Sequence, residues 1–429
     1  YTESNISEID QLSRSMIEMS RSIEQHESEQ RELLDSFIKI ISQAIDDKSH
    51  YTAGHCARVP DIAMQLVQAA CEQTSGVFKH FSFKNELERR EFNIAAWLHD
   101  CGKIITPVHI VDKGTKLEVI YNRIHEIRMR FEVLWRDADI EYLTLIHVDP
   151  EKHDQFYQQR LNKQQQLRDD FAFIAQANIG GEFIDKAHID RLNSLNNVTW
   201  QRNFDDRLGL SPVEEALRDM KRVKLPVTEP LLADKPEHIV KRTKPVEFPA
   251  EFKIKMEVPH NISNHGELYN LAIGRGTLTS EDRYIVNEHI ISTIKMLEAL
   301  PLPPELARVP RYASTHHETL IGTGYPRQLS AKDLSVPERV MVVSDIFEAL
   351  TAADRPYKKA KPVSVAIDIL HKLVLEQHID KDVFELLLTS GIYLTYAKKY
   401  LPAEQIDEVD IEQYLTVNIP EQYLTENAT

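Results

Sequence analysis

The residues of this sequence that could do chemistry are histidines and aspartates spread along the chain. They are His55, His99, Asp100, His289, His316, His317 and Asp345. Each of them alone is a weak signal, because single histidines are common on ordinary helices. Together they offer imidazole and carboxylate without thiolate, which is the ligand chemistry of hydrolytic Mn, Fe or Zn centres. A carboxylate beside a histidine can bridge two metal ions. Two neighbouring metal ions can activate a water molecule for attack on a phosphodiester.

Composition limits the partners that such a centre could serve. The chain has 429 residues, with 51 Lys and Arg against 67 Asp and Glu, a net charge of −16 that opposes an extended grip on nucleic acid. Its three cysteines form no CxxC pair, so a reducing compartment is expected and the cytoplasm is the default location. No apolar run approaches the roughly 18 to 20 residues that a membrane span requires. The chain begins at Tyr1, and we expect a piece of a longer protein.

Residues 1–49 have the pattern of a long helix. Apolar residues recur there at alternating steps of three and four, at Ile9, Leu12, Met16, Met19, Ile23, Leu33, Phe37 and Ile40. This heptad seam predicts a signalling helix that pairs with a second copy, making a homodimer. The alternative is an amphipathic helix that packs on its own domain.

The rest of the chain is predicted to be all-α, with a large insertion that is mostly helical. Residues 114–270 form this insertion, and a proline-rich connector with six prolines occupies 226–259. Within the connector Phe252, Ile254, Met256 and Val258 alternate with charged residues, which predicts one short strand.

Several ordered motifs together resemble one known family. The order His55, His99-Asp100, Asp345 resembles the H…HD…D signature of HD-superfamily metal-dependent phosphohydrolases. Residues 316–326 (HHETLIGTGYP) resemble the HHExxDGxGYP segment of the HD-GYP subfamily. Residues 275–279 (RGTLT), with His289 eleven residues after Leu278, and residues 345–359, which end in DRPYKK, match the same subfamily.

The resemblance implies an HD-type helical bundle formed by residues 50–113 and 271–429. It implies a phosphodiesterase that opens a cyclic dinucleotide, cyclic di-GMP or 3′,3′-cyclic GMP-AMP, to the linear dinucleotide. It implies two divalent ions, Fe or Mn. The resemblance assigns the first ion to His55, His99, Asp100 and Asp345, and the second ion to Asp100, His289, His316 and His317. Lys103 would face the scissile phosphate beside Asp100, and Arg355 and Lys358 would hold the substrate.

Three departures from the family pattern stand out. The family's Asp before the glycine of GxGYP is Ile321 here, which removes a carboxylate expected to set hydrogen bonds in that loop. Tyr51 occupies the place of an extra Glu found in three-metal members, which favours two ions. The insertion replaces a short link, and long-insert members resemble the cytoplasmic portions of membrane-anchored sensor proteins.

Two other functions compete with the phosphodiesterase. A silent receptor or scaffold would bind the cyclic dinucleotide without cleaving it, although no ligand position is lost in this sequence. A mononucleotidase of the HD type would leave the GYP and DRPYKK segments unexplained.

Overall fold

The computed structural model of the chain describes residues 7–48, 54–181, 184–218, 223–352 and 361–415. Within these ranges the protein is all-α, as predicted, apart from four short strands. The helices of the first half are α1 (Ser7–Lys48), α2 (His55–Cys71), α3 (Glu86–Leu98), α4 (Val108–Val111), α5 (Ile124–Val148), α6 (His153–Ile179), α7 (Lys186–Asn196) and α8 (Pro212–Ala216). Those of the second half are α9 (Glu267–Leu271), α10 (Ser280–Glu298), α11 (Val309–Ala313), α12 (Val336–Thr351), α13 (Val363–Leu375), α14 (Lys381–Thr389), α15 (Ile392–Tyr400) and α16 (Glu412–Leu415).

The chain divides into two compact units. The first comprises residues 1–105, 249–256 and 289–429, and the second comprises 106–248 and 257–288. Helix α10 is shared between them, since its residues from His289 onward belong to the first unit. The sequence-based limits at residues 113 and 270 remain a proposal for where the catalytic part stops and resumes.

The first unit is a helical bundle with one continuous core. Helices α2, α3 and α12 to α15 supply most of its fully buried side chains, among them Leu66, Phe92, Phe347 and Phe384. A capping box fixes the start of α12, because the carboxylate of Glu338 accepts a hydrogen bond from the backbone N–H of Ser335 at 2.7 Å. This start sets the phase of the helix, which turns Val340, Val343 and Phe347 into the core.

Helix α1 is a single helix of 42 residues, in agreement with the predicted stalk. Its heptad seam is exposed along its length, with Leu12 61% and Ile40 62% accessible. Ile38 and Ile45, on another face near the end of the helix, are buried in the core of the first unit. The helix therefore packs on its own domain only through its last turns, and a partner for the seam remains a proposal. No described helix is long and apolar enough to cross a membrane.

The second unit is mostly helical, and α5 and α6 form an antiparallel hairpin around Leu134 and Ile174. It carries two antiparallel pairs of strands. These pair β1 (Thr199–Arg202) with β2 (Val227–Pro230), and β3 (Ile239–Lys241) with β4 (Asn261–Asn264), with a register shift between Val240 and Lys241.

The strand predicted at residues 252–258 is wrong. Residues 250–252 form a 3-10 turn, and Lys253 has φ 52°, outside the extended region. The backbone N–H of Lys255 donates to the carbonyl of Pro326 at 2.8 Å, in a loop rather than a neighbouring strand. The alternating pattern belongs to an irregular segment that lies along this loop.

Candidate metal centre

The seven histidines and aspartates singled out in the sequence lie together in the first unit. His55 is the first residue of α2, and His99 and Asp100 directly follow α3. Asp345 lies in the middle of α12. His289 comes from α10, and His316 and His317 follow α11. All seven are buried or largely buried, although the chain segments that carry them are up to 290 residues apart.

Two groups of three side chains present their donor atoms to common points, and a third group, His99, Asp100 and His316, joins the two. One contains His55, His99 and Asp345, and the other contains His289, His316 and His317, with the donor atoms of each group within 4.8 Å of one another. Three N or O donors at such spacing are the usual number that a protein supplies to a catalytic divalent ion.

Asp100 lies between the two groups and turns one oxygen to each. Its Oδ2 is 3.1 Å from Nε2 of His55 and 3.4 Å from Nε2 of His99. Its Oδ1 is 3.3 Å from Nε2 of His289 and 3.7 Å from Nε2 of His316. A carboxylate in this position can bridge two ions, one held by each group.

Hydrogen bonds fix three of the imidazole rings with the same nitrogen inward. Nδ1 of His99 donates to the carbonyl of Ala96 at 2.8 Å, and Nδ1 of His316 donates to that of Ala313 at 2.9 Å. Nδ1 of His55 is hydrogen-bonded to a carboxylate oxygen of Glu348. Since each neutral ring carries one proton, the lone pairs of the three Nε2 atoms converge on the centre. The Nε2 of His316 is buried without a hydrogen-bond partner, which a bound cation would supply.

The protonation states differ between the two groups. Burial opposes the charged form of His99, but the charges of Asp100 and Asp345 outweigh it and raise the pKa of His99 to about 9. Burial lowers the pKa of His316 to about 3, and it lowers the pKa of His317 well below its ordinary value. Burial alone would raise the pKa of Asp100, but the charges of Lys103 and His99 hold it well below its ordinary value. The centre thus combines an ionised Asp100 and a readily protonated His99 with neutral imidazoles at His316 and His317, and a cation that displaces the proton of His99 suits this donor set.

Glu348 and Arg58 support His55 from behind. The buried carboxylate of Glu348 bonds Nδ1 of His55 through one oxygen and Nε of Arg58, at 2.5 Å, through the other. A carboxylate that holds the far nitrogen of a metal-binding histidine fixes its tautomer and increases its basicity. Sequence reasoning missed both residues as supports. The available signal was their spacing, since Glu348 follows Asp345 by three residues and Arg58 follows His55 by three, on the same helix faces.

Gly102 brings the two ligand-bearing segments into contact. A Cβ at this position would lie 1.9 Å from the carbonyl oxygen of His289 and 2.6 Å from the backbone nitrogen of Thr293. The hydroxyl of Thr293 accepts a hydrogen bond from the N–H of Gly102 at 3.0 Å and donates to the carbonyl of His99 at 3.3 Å. Position 102, two residues after Asp100, is therefore glycine, because α10 passes directly against the backbone there and leaves no room for a Cβ.

The loop after His317 closes over the second group. Tyr325 stacks on the ring of His317, with centroids 4.7 Å apart, and its N–H donates to the carbonyl of His317. Gly324 is required because a Cβ there would lie 2.5 Å from the backbone of Glu318. The carboxylate of Glu318 accepts hydrogen bonds from the N–H groups of Arg327 at 2.7 Å and Leu329 at 2.8 Å.

Ile321 is 41% exposed in this loop. The neighbouring turn is held by Thr319, whose hydroxyl accepts a hydrogen bond from the N–H of Thr323 at 2.9 Å. Thr319 and Glu318 thus supply hydrogen bonds within this loop.

Of the residues predicted to face the substrate, the structure describes Lys103 alone. Lys103 lies in a 3-10 turn after Asp100, with Nζ 2.5 Å from Asp100 Oδ2 and 27% of its side chain exposed. Its pKa is raised, since the charges of Asp100 and Asp345 outweigh the burial that would lower it, so it is a cation at neutral pH. Arg355 and Lys358, and also Tyr51, lie outside the described residues.

Residues 226–383 match the family model of the HD domain. The matched range includes His289, His316, His317 and Asp345, while His55 and the His99-Asp100 pair precede it. The match begins within the predicted insertion of residues 114–270, so the limits of that insertion remain a proposal.

The chain is also similar to curated cyclic-dinucleotide phosphodiesterases. It is 34% identical over 128 residues to a 3′3′-cGAMP-specific phosphodiesterase of Vibrio cholerae, covering 30% of this chain and 27% of that protein. It is 31% identical over 114 residues to a cyclic di-GMP phosphodiesterase of Thermotoga maritima, covering 27% of this chain and 30% of that protein. A cyclic di-GMP phosphodiesterase of Pseudomonas aeruginosa is 33% identical over 140 residues, 32% of this chain and 30% of that protein. The chain thus spans less than a third of each of these relatives, and the predicted resemblance is confirmed over those parts.

Proposed function

Because residues 226–383 match the HD domain, we propose that this chain hydrolyses one phosphodiester bond of a cyclic dinucleotide at a two-ion centre. The observation that carries the proposal is the position of Asp100, with one oxygen toward each group of three donors. The first ion would be held by His55, His99, Asp100 and Asp345. The second would be held by Asp100, His289, His316 and His317.

Two divalent ions, Fe or Mn in our proposal, would supply an activated water and neutralise charge on the phosphate. The residues of the chain hold the donor atoms in place, and burial keeps the imidazoles of His316 and His317 neutral. Glu348 fixes the ring of His55, and the stacked Tyr325 fixes that of His317. The charged Lys103 stands at the partly exposed side, where it can offset negative charge on the phosphate in the transition state. Arg355 and Lys358 are proposed to bind the substrate from the DRPYKK segment.

The test is hydrolysis of cyclic di-GMP and 3′,3′-cyclic GMP-AMP side by side, by protein loaded in turn with Mn and Fe(II), with the metal content measured. We expect linear dinucleotide from at least one substrate and about two ions per chain. His99→Ala and Asp100→Ala should abolish hydrolysis and keep the helical circular dichroism. The exposed His80→Ala is the matched control and should keep full activity.

Each other outcome of this assay has a definite meaning. Binding of the dinucleotide without cleavage in a metal-loaded sample would favour the receptor or scaffold. Cleavage of a deoxynucleoside triphosphate instead would favour the mononucleotidase. Full activity of His99→Ala would refute the metal assignment.

We further propose that the chain is a homodimer through the seam of α1, and that it acts in the cytoplasm as part of a membrane-anchored sensor. The dimer is supported by heptad spacing and by the exposure of large apolar side chains such as Met16 and Phe37, 58% and 55% accessible. The cytoplasm is supported by three cysteines that are all free thiols.

A further inference from the structure

The last turns of α1 reach the backbone that carries the first group of ligands. Ser42 and Asp46 are buried there, 1% and 3% accessible, whereas most polar residues earlier in the helix face solvent. Buried polar groups near the end of a helix are costly unless they make hydrogen bonds. Their hydrogen bonds, and those of the neighbouring Lys48, go to segments that hold the proposed metal centre.

Asp46 binds the backbone on both sides of His55. Its Oδ2 accepts a hydrogen bond from the N–H of Gly54 at 3.0 Å, and its Oδ1 accepts one from the N–H of Cys56 at 3.4 Å. Gly54 precedes α2 in a left-handed conformation, with φ 83°, and has no side chain of its own to cap the helix. The carboxylate from α1 therefore holds the first turn of α2, where His55 begins.

Ser42 and Lys48 bind the segment of the His-Asp pair. The hydroxyl of Ser42 donates to the carbonyl of Trp97 at 2.8 Å, two residues before His99. The ammonium of Lys48 donates to the carbonyl of Lys103 at 3.1 Å and also to that of Ile104. We call Ser42, Asp46 and Lys48 the polar clamp.

The polar clamp is continuous with the exposed seam. Ile40, the last seam residue, precedes Ser42 by two positions in the same unbroken helix. The helix rises 1.5 Å per residue, so the clamp from Ser42 to Lys48 spans about 9 Å. Ile38, Ile45 and the ion pair of Asp35 with Arg90 at 2.6 Å fix the clamp face on the core. A rotation or sliding of α1 would therefore displace the hydrogen bonds on either side of His55.

We propose that the polar clamp positions His55 and His99, so that the stalk helix controls occupancy of the first ion site. This rests on the proposed two-ion centre and names the part of the chain that regulates it. Ser42, Asp46 and Lys48 are positioning residues, which act through the backbone and not on the substrate. The hydrogen bonds described for the clamp go to the backbone on either side of His55 and to the backbone around the His99-Asp100 pair.

The test compares Asp46→Asn and Asp46→Ala with Asp47→Asn and Asp47→Ala. Asp47 is the neighbouring residue of the same helix, exposed and bonded only locally to Gln43 at 2.7 Å in the described contacts, so helix propensity and charge are matched. Mn²⁺ binding is titrated against a chelator in the full chain. Loss of outer support for a metal-binding histidine weakens binding about 10- to 100-fold, and we expect at least tenfold for one ion in Asp46→Ala.

The two sites are separated by background variants. In His317→Ala, which removes a second-site ligand, Asp46→Ala should still weaken the remaining ion at least tenfold. In His55→Ala, which removes a first-site ligand, Asp46→Ala should change the remaining affinity less than twofold. Equal affinities for Asp46→Ala and Asp47→Ala would overturn the proposal, as would equal loss at both sites.

A milder pair of variants decides the matter if Asp46→Ala does not fold. Ser42→Ala removes the bond to Trp97, and Ser36→Ala removes an exposed serine whose hydroxyl bonds the carbonyl of Glu32 one turn back. We expect weaker first-site binding in Ser42→Ala only. Because no step uses a dinucleotide, a chain that binds two ions but cleaves no substrate would refute the proposed function and leave the clamp intact.

Discussion

Replacing Gly102 by alanine tests how the two ligand groups are held at their spacing. The added Cβ would lie 1.9 Å from the carbonyl oxygen of His289, where real contacts are at least 3.0 Å. The difference is 3.0 − 1.9 = 1.1 Å, and the obstructing atoms are backbone atoms of α10 that cannot rotate away. Metal ligands keep their distances within about 0.2 Å. The displacement therefore exceeds what the second site tolerates several-fold.

The energetic cost follows from the same clash. Overpacking a core costs about 1–3 kcal/mol, and the smaller unfolded-state entropy of alanine offsets up to about 1 kcal/mol. A net loss of about 1–2 kcal/mol lowers Tm by roughly 2–8 °C in a unit of this size. We expect this loss together with a fall from about two ions to about one, because His289 moves away from Asp100.

The assay is thermal unfolding with and without Mn²⁺, followed by metal analysis of the dialysed protein. Gly274→Ala is the matched control, since a Cβ there meets nothing within 4 Å. If Gly102→Ala kept both ions and the Tm of Gly274→Ala, the inferred contact of α10 with the His-Asp segment would be refuted.

Three further predictions concern the support of the centre, its pH dependence and the stalk. In Glu348→Gln a single side-chain oxygen remains to accept from both His55 and Arg58. Binding of the ion held by His55 should therefore weaken about 10- to 100-fold in a chelator competition, and unchanged affinity would contradict the supporting role. The pKa of His99 is raised from 6.5 to about 9 in the metal-free protein, and an ion binds only the neutral ring. Affinity for the first ion should therefore fall at least tenfold per pH unit below pH 9, because burial opposes the charged form of His55 but the charge of Glu348 outweighs it and raises the pKa of His55 as well. The second site, with His316 neutral down to about pH 3, should change little between pH 7 and 9, and parallel curves would contradict this difference. The double variant Leu12→Asp with Met16→Asp should halve the molecular mass measured by light scattering. An unchanged mass would exclude the seam as the dimer interface.

The sequence singled out the donor residues of the candidate centre but not the residues that support them. Residue types and order singled out the seven histidines and aspartates, and the structure brings them together. The stalk was predictable because a seam at steps of three and four needs only local spacing. The contact of Glu348 with His55 was not, because it joins residues 293 positions apart and depends on how α2 packs against α12.

The strand predicted around Ile254 failed for a related reason. Alternating apolar and charged residues indicate an extended segment with one face covered, whatever covers it. Here the backbone partner of Lys255 is Pro326 in a distant loop, and no strand lies there to pair. The alternation of apolar residues indicates which side chains are buried. Whether the segment pairs as a β-strand depends on which distant segment lies beside it.

The interleaved chain of the first unit has a consequence for how the protein is made. Its candidate ligands come from residues before 105 and from residue 289 onward, and most of the second unit is synthesised between them. When the ribosome has added His55, His99 and Asp100, neither Asp345 nor the carboxylate of Glu348 yet exists. Contacts of such high sequence separation form late and slowly. Binding of an ion at the proposed first site therefore has to wait until α12 has been synthesised, and a chain that ends before α12 cannot assemble that site.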